Sequence, residues 1–181
     1  NTLYQLHAVD VLQNERIAPC WREFFAEHTS EVFWERIKKL LGIRVDGKVG
    51  LRYRDNCQIQ MDCLFGVNTP VVTRGTVKGP HLDNPRELYA CLIYFPEPGD
   101  DSGGDLSIYR YTNGHPKFFG QRFTHDVAMV AAVQYAENHG ILFKNSKDAL
   151  HGVSKRRPTR KWRRYVNLEC EYYQPLFEIP S

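Results

Sequence analysis

Three residues of this chain have the types and spacing to hold a metal ion. In Gly79-Pro80-His81-Leu82-Asp83-Asn84-Pro85 an imidazole and a carboxylate stand two residues apart. In extended backbone such residues point to the same side, so His81 and Asp83 can reach one point in space. The third donor must come from elsewhere in the chain. The best placed is His151 in Asp148-Ala149-Leu150-His151-Gly152-Val153. Two histidines and one carboxylate on one face of a metal leave several coordination positions free, an arrangement suited to Fe(II). A lone His-x-Asp is weak evidence, but this one stands just before the apolar run Tyr89-Ala90-Cys91-Leu92-Ile93-Tyr94-Phe95. The plain alternatives are a loop in which His81 and Asp83 bond each other or backbone, and a satisfied core histidine at 151. His115, His125 and His139 compete as ligands; His115 and His139 lie in turn-like segments and rank below His151.

A second feature is a cation. Along the last strand-like run, Val166, Leu168 and Cys170 have one parity, and Tyr165, Asn167, Glu169 and Glu171 have the other. The apolar set is expected to face the interior. Arg164 shares that parity where the strand opens, so its guanidinium is expected to point inward, where a cation needs an anion to answer it. A dicarboxylate would answer through the paired hydrogen bonds of the planar fork. Arg160 has the same parity but lies in a turn-like stretch, and is the second choice. The competing readings give Arg164 an internal Asp or Glu as partner, or a surface position.

The elements that must position these groups change character along the chain. Ala18-Pro19 opens a helical stretch with Trp21, Phe24 and Phe25 at spacings of three and four. A second helix starts near Thr29-Ser30-Glu31, carries Phe33, Ile37, Leu40 and Leu41 as a stripe, and stops at Gly42. From about residue 57 the texture is extended. Ile59, Met61 and Cys63 alternate with polar residues, and strand-like runs follow at 89–95, 105–111, 126–133, 140–144, 149–153 and 164–172, separated by turn-rich segments. The pattern predicts a mainly β architecture, an antiparallel barrel or sandwich with helices only at the front.

At 181 residues the chain is the size of one globular domain. Its 42% hydrophobic and 25% charged residues exclude gross disorder. No apolar run approaches the roughly 20 residues needed to span a bilayer, and the start lacks the pattern of a secretory signal. The cysteines at 20, 57, 63, 91 and 170 form no Cys-x-x-Cys pair. Reduced thiols in a cytoplasmic protein are expected, with Cys91 and Cys170 as small core residues. Seven basic residues fall within Lys155 to Arg164, either a solvated loop or a grip on an anion.

His81-x-Asp83, the distal His151 and an arginine before a terminal strand resemble the signature of Fe(II)- and 2-oxoglutarate-dependent dioxygenases, particularly the prolyl-hydroxylase-like branch. The likeness extends through His81-Leu82-Asp83-Asn84-Pro85, the strand ending in Tyr94, Gly103-Gly104-Asp105-Leu106, Asn145-Ser146, Leu150-His151-Gly152-Val153 and Arg164-Tyr165-Val166. It covers about residues 58–173. What it implies is a single domain over residues 1–181: a double-stranded β-helix, a jelly-roll or cupin-like barrel, buttressed by helices in about the first 50 residues. His81, Asp83 and His151 would be the Fe(II) ligands, and Arg164 would hold the far carboxylate of 2-oxoglutarate. Tyr94 corresponds to a strand tyrosine that often bonds the same carboxylate. The interval from His151 to this arginine is longer than is usual in the family, which keeps Arg160 open. The implied activity is hydroxylation with O2 and release of succinate and CO2; a carboxylate at 83, where halogenating members have a small residue, favours hydroxylation.

Two other classes stand beside this one. A cupin-type metalloenzyme that does not use 2-oxoglutarate would need no interior arginine. A non-catalytic barrel would bind an anionic polymer such as nucleic acid through Lys155–Arg164, although an intact triad argues against it. The substrate, small-molecule or peptidyl, is not legible. Specificity is expected from the loop 66–78, from 86–88 beside the metal and from 111–123, whose content suggests a polar substrate.

Overall fold

The computed structural model describes residues 2–75, 78–112, 118–119, 122–123 and 127–178. The chain opens with β1 (Leu3–His7), which runs directly into α1 (Ala8–Gln13), and two longer helices follow, α2 (Pro19–His28) and α3 (Glu31–Leu41). Pro19 sits in the first turn of α2, where its missing N–H is no loss. The Ser30 hydroxyl caps α3 by accepting the N–H of Phe33 at 3.1 Å. Gly42 ends α3 in the left-handed region, φ 60°, which glycine enters without strain. The strands are β2 (Val49–Leu51), β3 (Ile59–Asn68), β4 (Glu87–Tyr94), β5 (Leu106–Tyr111), β6 (Phe118–Phe119), β7 (Arg122–Phe123), β8 (Val127–Val133), β9 (Gly140–Lys144), β10 (His151–Val153) and β11 (Arg163–Tyr172).

The larger sheet has the order β1-β3-β11-β4-β9, all antiparallel, with β2 pairing the start of β3 in parallel. The smaller sheet is β10-β5-β8, and β6 pairs with β7. Together they form a mainly β fold of the double-stranded β-helix type. The expected strands are present within a few residues of their predicted bounds. Five elements were not foreseen: β1, α1, β2 and the short pair β6 and β7. The loop expected over 66–78 contributes, in its described part up to Gly75, the end of β3 and two isolated bridges, Val71 to Thr159 and Gly75 to Arg156.

The helices cover one face of the larger sheet. Ala8, Val11, Phe25, Trp34 and Ile37 pack with Ile59, Met61 and Cys63 of β3, Tyr89 of β4, and Val166, Leu168 and Cys170 of β11. The apolar parity of β11 is therefore the helix side. The opposite parity, Arg163, Tyr165, Asn167 and Glu169, lines the cavity between the sheets. All five cysteines are free thiols, and no helix is long and apolar enough to cross a membrane.

The stripe on α3 is shifted from its expected place. Trp34, at 1% exposure, and Ile37 are buried, whereas Leu40 is 70% exposed. Ile37→Ala should cost about 2–5 kcal/mol, the usual range for truncating a buried aliphatic side chain. Leu40→Ala should stay within about 0.5 kcal/mol of wild type. Urea unfolding followed by circular dichroism distinguishes the two, and equal losses would place the helix in the wrong rotation.

Candidate metal centre

His81 and His151 are brought together by backbone. They form an isolated antiparallel bridge in which the His81 N–H donates to the His151 carbonyl at 2.8 Å and the His151 N–H donates back at 3.1 Å. Directly opposed residues of such a pair project to the same side, and the two imidazole centroids lie 4.3 Å apart. Gly152 permits this approach: a Cβ there would come within 2.8 Å of the backbone of Gly79. Asp83, two residues after His81, completes the group. The donor atoms of His81, Asp83 and His151 all lie within 4.8 Å of one another.

Hydrogen bonding fixes what these atoms offer. His81 Nδ1 lies 2.8 Å from the Gly79 carbonyl and His151 Nδ1 lies 2.9 Å from the Ala149 carbonyl. A carbonyl only accepts, so each Nδ1 carries the proton and each neutral ring turns a bare Nε2 lone pair inward. These Nε2 atoms stand 3.4 Å and 3.3 Å from the two oxygens of Asp83. Lone pairs facing lone pairs at that separation repel unless a cation lies between them. The donor set fits a divalent metal held by two imidazoles and one carboxylate, the set that suits Fe(II).

Protonation agrees with this reading. Burial, followed by the positive charge that His81 can carry, lowers the pKa of His151 although Asp83 opposes the change, so the ring stays a neutral ligand. Burial works against the Asp83 anion, but when no metal is bound a second proton taken up by His81, and after it the charges that His151 and Lys78 can carry, outweigh it and hold the carboxyl down at about 2. Lys78 Nζ lies 3.7 Å from Asp83 Oδ1.

The triad opens into a cavity of about 230 Å³ that is also lined by Asn68, Glu87, Arg163, Tyr165, Asn167 and Glu169. Arg163 is the cation that faces it. Arg163 is 2% exposed, its Nε donates to the Gly104 carbonyl at 3.0 Å, and its Nη1 reaches Asn68 Oδ1 at 3.4 Å. Among the described residues, Nη2 and Asn68 Nδ2 are both buried without a hydrogen-bond partner. The guanidinium packs against the rings of Tyr94, Tyr135 and Tyr165 at 5.3, 5.1 and 4.9 Å. Tyr94 is fully buried, and its hydroxyl makes no hydrogen bond of regular geometry among the described residues, with Arg163 as its polar neighbour. Burial pushes its pKa up to about 12, so the hydroxyl remains a donor.

The expectation for Arg164 is corrected here. Its side chain is exposed and its Nε donates to the Phe95 carbonyl at 3.1 Å; Arg160 is also exposed. The physical reason is that β11 lies mid-sheet with both faces covered, so its apolar parity marks the helix side and not the cavity. Arg156, from the same basic run, is fully buried, with Nη2 3.3 Å from Asp100 Oδ2. That run is therefore partly internal framework. His139 is exposed and bonds the Glu137 carbonyl; His115 and His125 lie outside the described residues.

No family model matches the sequence, and no curated protein matches it. Solved structures do. A prolyl 4-hydroxylase from Phytophthora capsici superposes over 93% of this chain with a TM-score of 0.58 at 14% identity, using 48% of its own length. This is its fold. A Pseudomonas putida prolyl-4-hydroxylase covers 95% of the chain and 72% of its own, with a TM-score of 0.49 and 13% identity. The Fe(II)/α-ketoglutarate-dependent dioxygenase TqaL covers 83% and 55%, with a TM-score of 0.45 and 14% identity. The chain spans about half the length of the Phytophthora enzyme.

Gly152→Ala should push the His81 segment away from His151 and weaken Mn(II) binding by about 10- to 100-fold, as displaced ligand supports do. Binding should also fade as pH drops below the ordinary histidine value of 6.5, because protons then compete for Nε2. Calorimetric titration of Mn(II) at several pH values measures both. Undiminished affinity in the variant would show that the bridge does not set the ligand geometry.

Proposed function

We propose that the protein is an Fe(II)- and 2-oxoglutarate-dependent oxygenase that hydroxylates a polar substrate. The observation that supports this most is that a buried guanidinium nitrogen without a partner opens into the same cavity as the His81–Asp83–His151 triad. Three protein ligands would leave positions on the iron for the keto-acid end of 2-oxoglutarate and for O2. Arg163, with Asn68 beside it and the Tyr94 hydroxyl behind it, would receive the far carboxylate through its unused N–H groups. When bound, the iron supplies the redox chemistry in which 2-oxoglutarate, O2 and a substrate C–H give succinate, CO2 and a C–OH. The protein's own part is geometric: it holds Nε2 of both histidines bare, keeps Asp83 ionised, and fixes the co-substrate at its far end.

The cupin-type alternative has no use for Arg163 in the cavity. The polymer-binding alternative loses two of its seven basic residues, Arg156 and Arg163, to the interior.

Anaerobic addition of Fe(II) and then 2-oxoglutarate should produce a visible charge-transfer band. Arg163→Ala should raise the 2-oxoglutarate concentration needed for the band by about 10- to 100-fold, the equivalent of one or more lost charged hydrogen bonds. Arg164→Ala and Arg160→Ala should leave it unchanged. Iron binding with no band would rule out the co-substrate assignment and favour the cupin-type enzyme.

A further inference from the structure

The cavity around the triad has opposite polarity at its two ends. Arg163 and Asn68 face each other at the start of β11, with donor nitrogens that lack acceptors. Six residues along the same strand, about 20 Å at the usual rise, stands Glu169, and Glu171 beyond it is paired with Glu87 of β4. Here the imbalance reverses. Arg52 forks to Glu169 and Glu171 at 2.6 Å each, so one cation meets two carboxylates. Among the described residues the Glu87 carboxylate, which lines the cavity four residues after Asp83, makes no hydrogen bond or ion pair. Asn167 spends its Nδ2 on Glu169 Oε2 at 2.8 Å and keeps a buried Oδ1 with no donor.

A cavity with spare donors at one end and spare acceptors at the other is shaped for a molecule, or a pair of molecules, carrying the complementary groups. We propose that the substrate bears a cationic nitrogen, an ammonium or guanidinium, seated against Glu87 at the end of the cavity remote from Arg163, with the Asn167 carbonyl oxygen, midway along β11, open to a further donor of the same molecule. This rests on the metal-centre reading for its place in the reaction, but the seat itself is built from residues outside the triad. Burial first, and then the charge of Asp83, push the Glu87 carboxyl up to about 9 against the pull of Lys78, so it holds its proton while the seat is empty and gives it up when a cation docks against it. A neutral side chain of equal length would leave the Asn167 oxygen unpaired, and an anionic one would add repulsion.

The test uses three capped amino acids of similar length: N-acetyl-L-lysine methylamide and its norleucine and glutamate counterparts. Each is titrated calorimetrically into the full chain with Mn(II) and 2-oxoglutarate present, and Mn(II)-induced broadening of the probe's proton signals reports closeness to the metal ligands. The lysine probe should bind about tenfold or more tightly than the norleucine probe, as expected for one charged hydrogen bond, and its signals should broaden. Glu87→Gln should abolish the preference while leaving the melting temperature and Mn(II) affinity unchanged. Equal binding of lysine and norleucine, tighter binding of glutamate, no binding of lysine, or an undiminished preference in Glu87→Gln would each overturn the proposal. A lysine preference lost in Glu87→Gln, in a protein that takes up no Mn(II), would uphold the cation seat and remove the metal-centre reading instead.

Discussion

Everything at the centre of this molecule follows from the two carbonyls that fix the histidine protons. Gly79 and Ala149 each precede a histidine by two residues and each accept its Nδ1–H. Once those protons are committed, the inner faces of His81, Asp83 and His151 present acceptors alone, in a volume too small for them to avoid one another. Such a cluster is stable only beside positive charge. Lys78 lies near enough to temper Asp83, but it cannot reconcile two imidazole lone pairs with each other. The paired backbone hydrogen bonds between His81 and His151 then act as the clamp: they tie the His81 segment to β10, which is itself held to β5 by a separate ladder.

The same constraint reappears at Arg163. A guanidinium at 2% exposure with no carboxylate in its hydrogen bonds is expensive to bury. Three aromatic rings and two neutral acceptors offset part of that cost. The loop geometry shows how closely the chain is fitted around it: Gly104 has φ 95°, and a Cβ there would press on both Arg163 and Arg156 at 3.1 Å. Arg156, by contrast, has its counter-ion in Asp100 and a hydroxyl partner in Ser102. Two arginines of one basic run thus occupy the interior under different terms: each keeps one buried nitrogen without a partner among the described residues, but Arg156 has a carboxylate beside it and Arg163, which lines the cavity, has none.

The convergence of His81, Asp83 and His151 was legible because its signal is local. Residues two apart in extended backbone share a direction whatever the tertiary fold, and a distal histidine beside a strand supplies the rest. The arginine was not legible by the same means. Alternation along β11 distinguishes two faces, but it says which is the cavity only if one face is solvated, and here both are covered. The apolar set Val166, Leu168 and Cys170 packs against helices, so treating it as the barrel interior selected Arg164 when the neighbouring residue was the one facing in. The polar set Tyr165, Asn167 and Glu169 carried the information: polar side chains on a strand buried from both sides belong to a site. β1 and α1 were missed because Leu3-Tyr4-Gln5-Leu6-His7 is short and its pairing partner, β3, lies some sixty residues away. The rotation of α3 was misjudged because Trp34 and Phe33 are adjacent and the stripe can be drawn through either.

A division of labour between the faces of one strand follows. The helix side of β11 supplies Val166, Leu168 and Cys170 to a continuous apolar core, and that core lets the opposite side depart so far from what folding favours. A buried arginine, a glutamate pushed up to about 7 first by burial, and an asparagine with an empty acceptor each subtract from stability. None of them holds the sheet together, because their own register positions are fixed by backbone pairing to β3 and β4. Residues in that position are free to be selected for what they bind. Cavity-side substitutions in β11 are therefore expected to act first on ligands, and helix-side substitutions first on folding. That separation is what allows a polar, unevenly charged cavity to persist inside a barrel of this size.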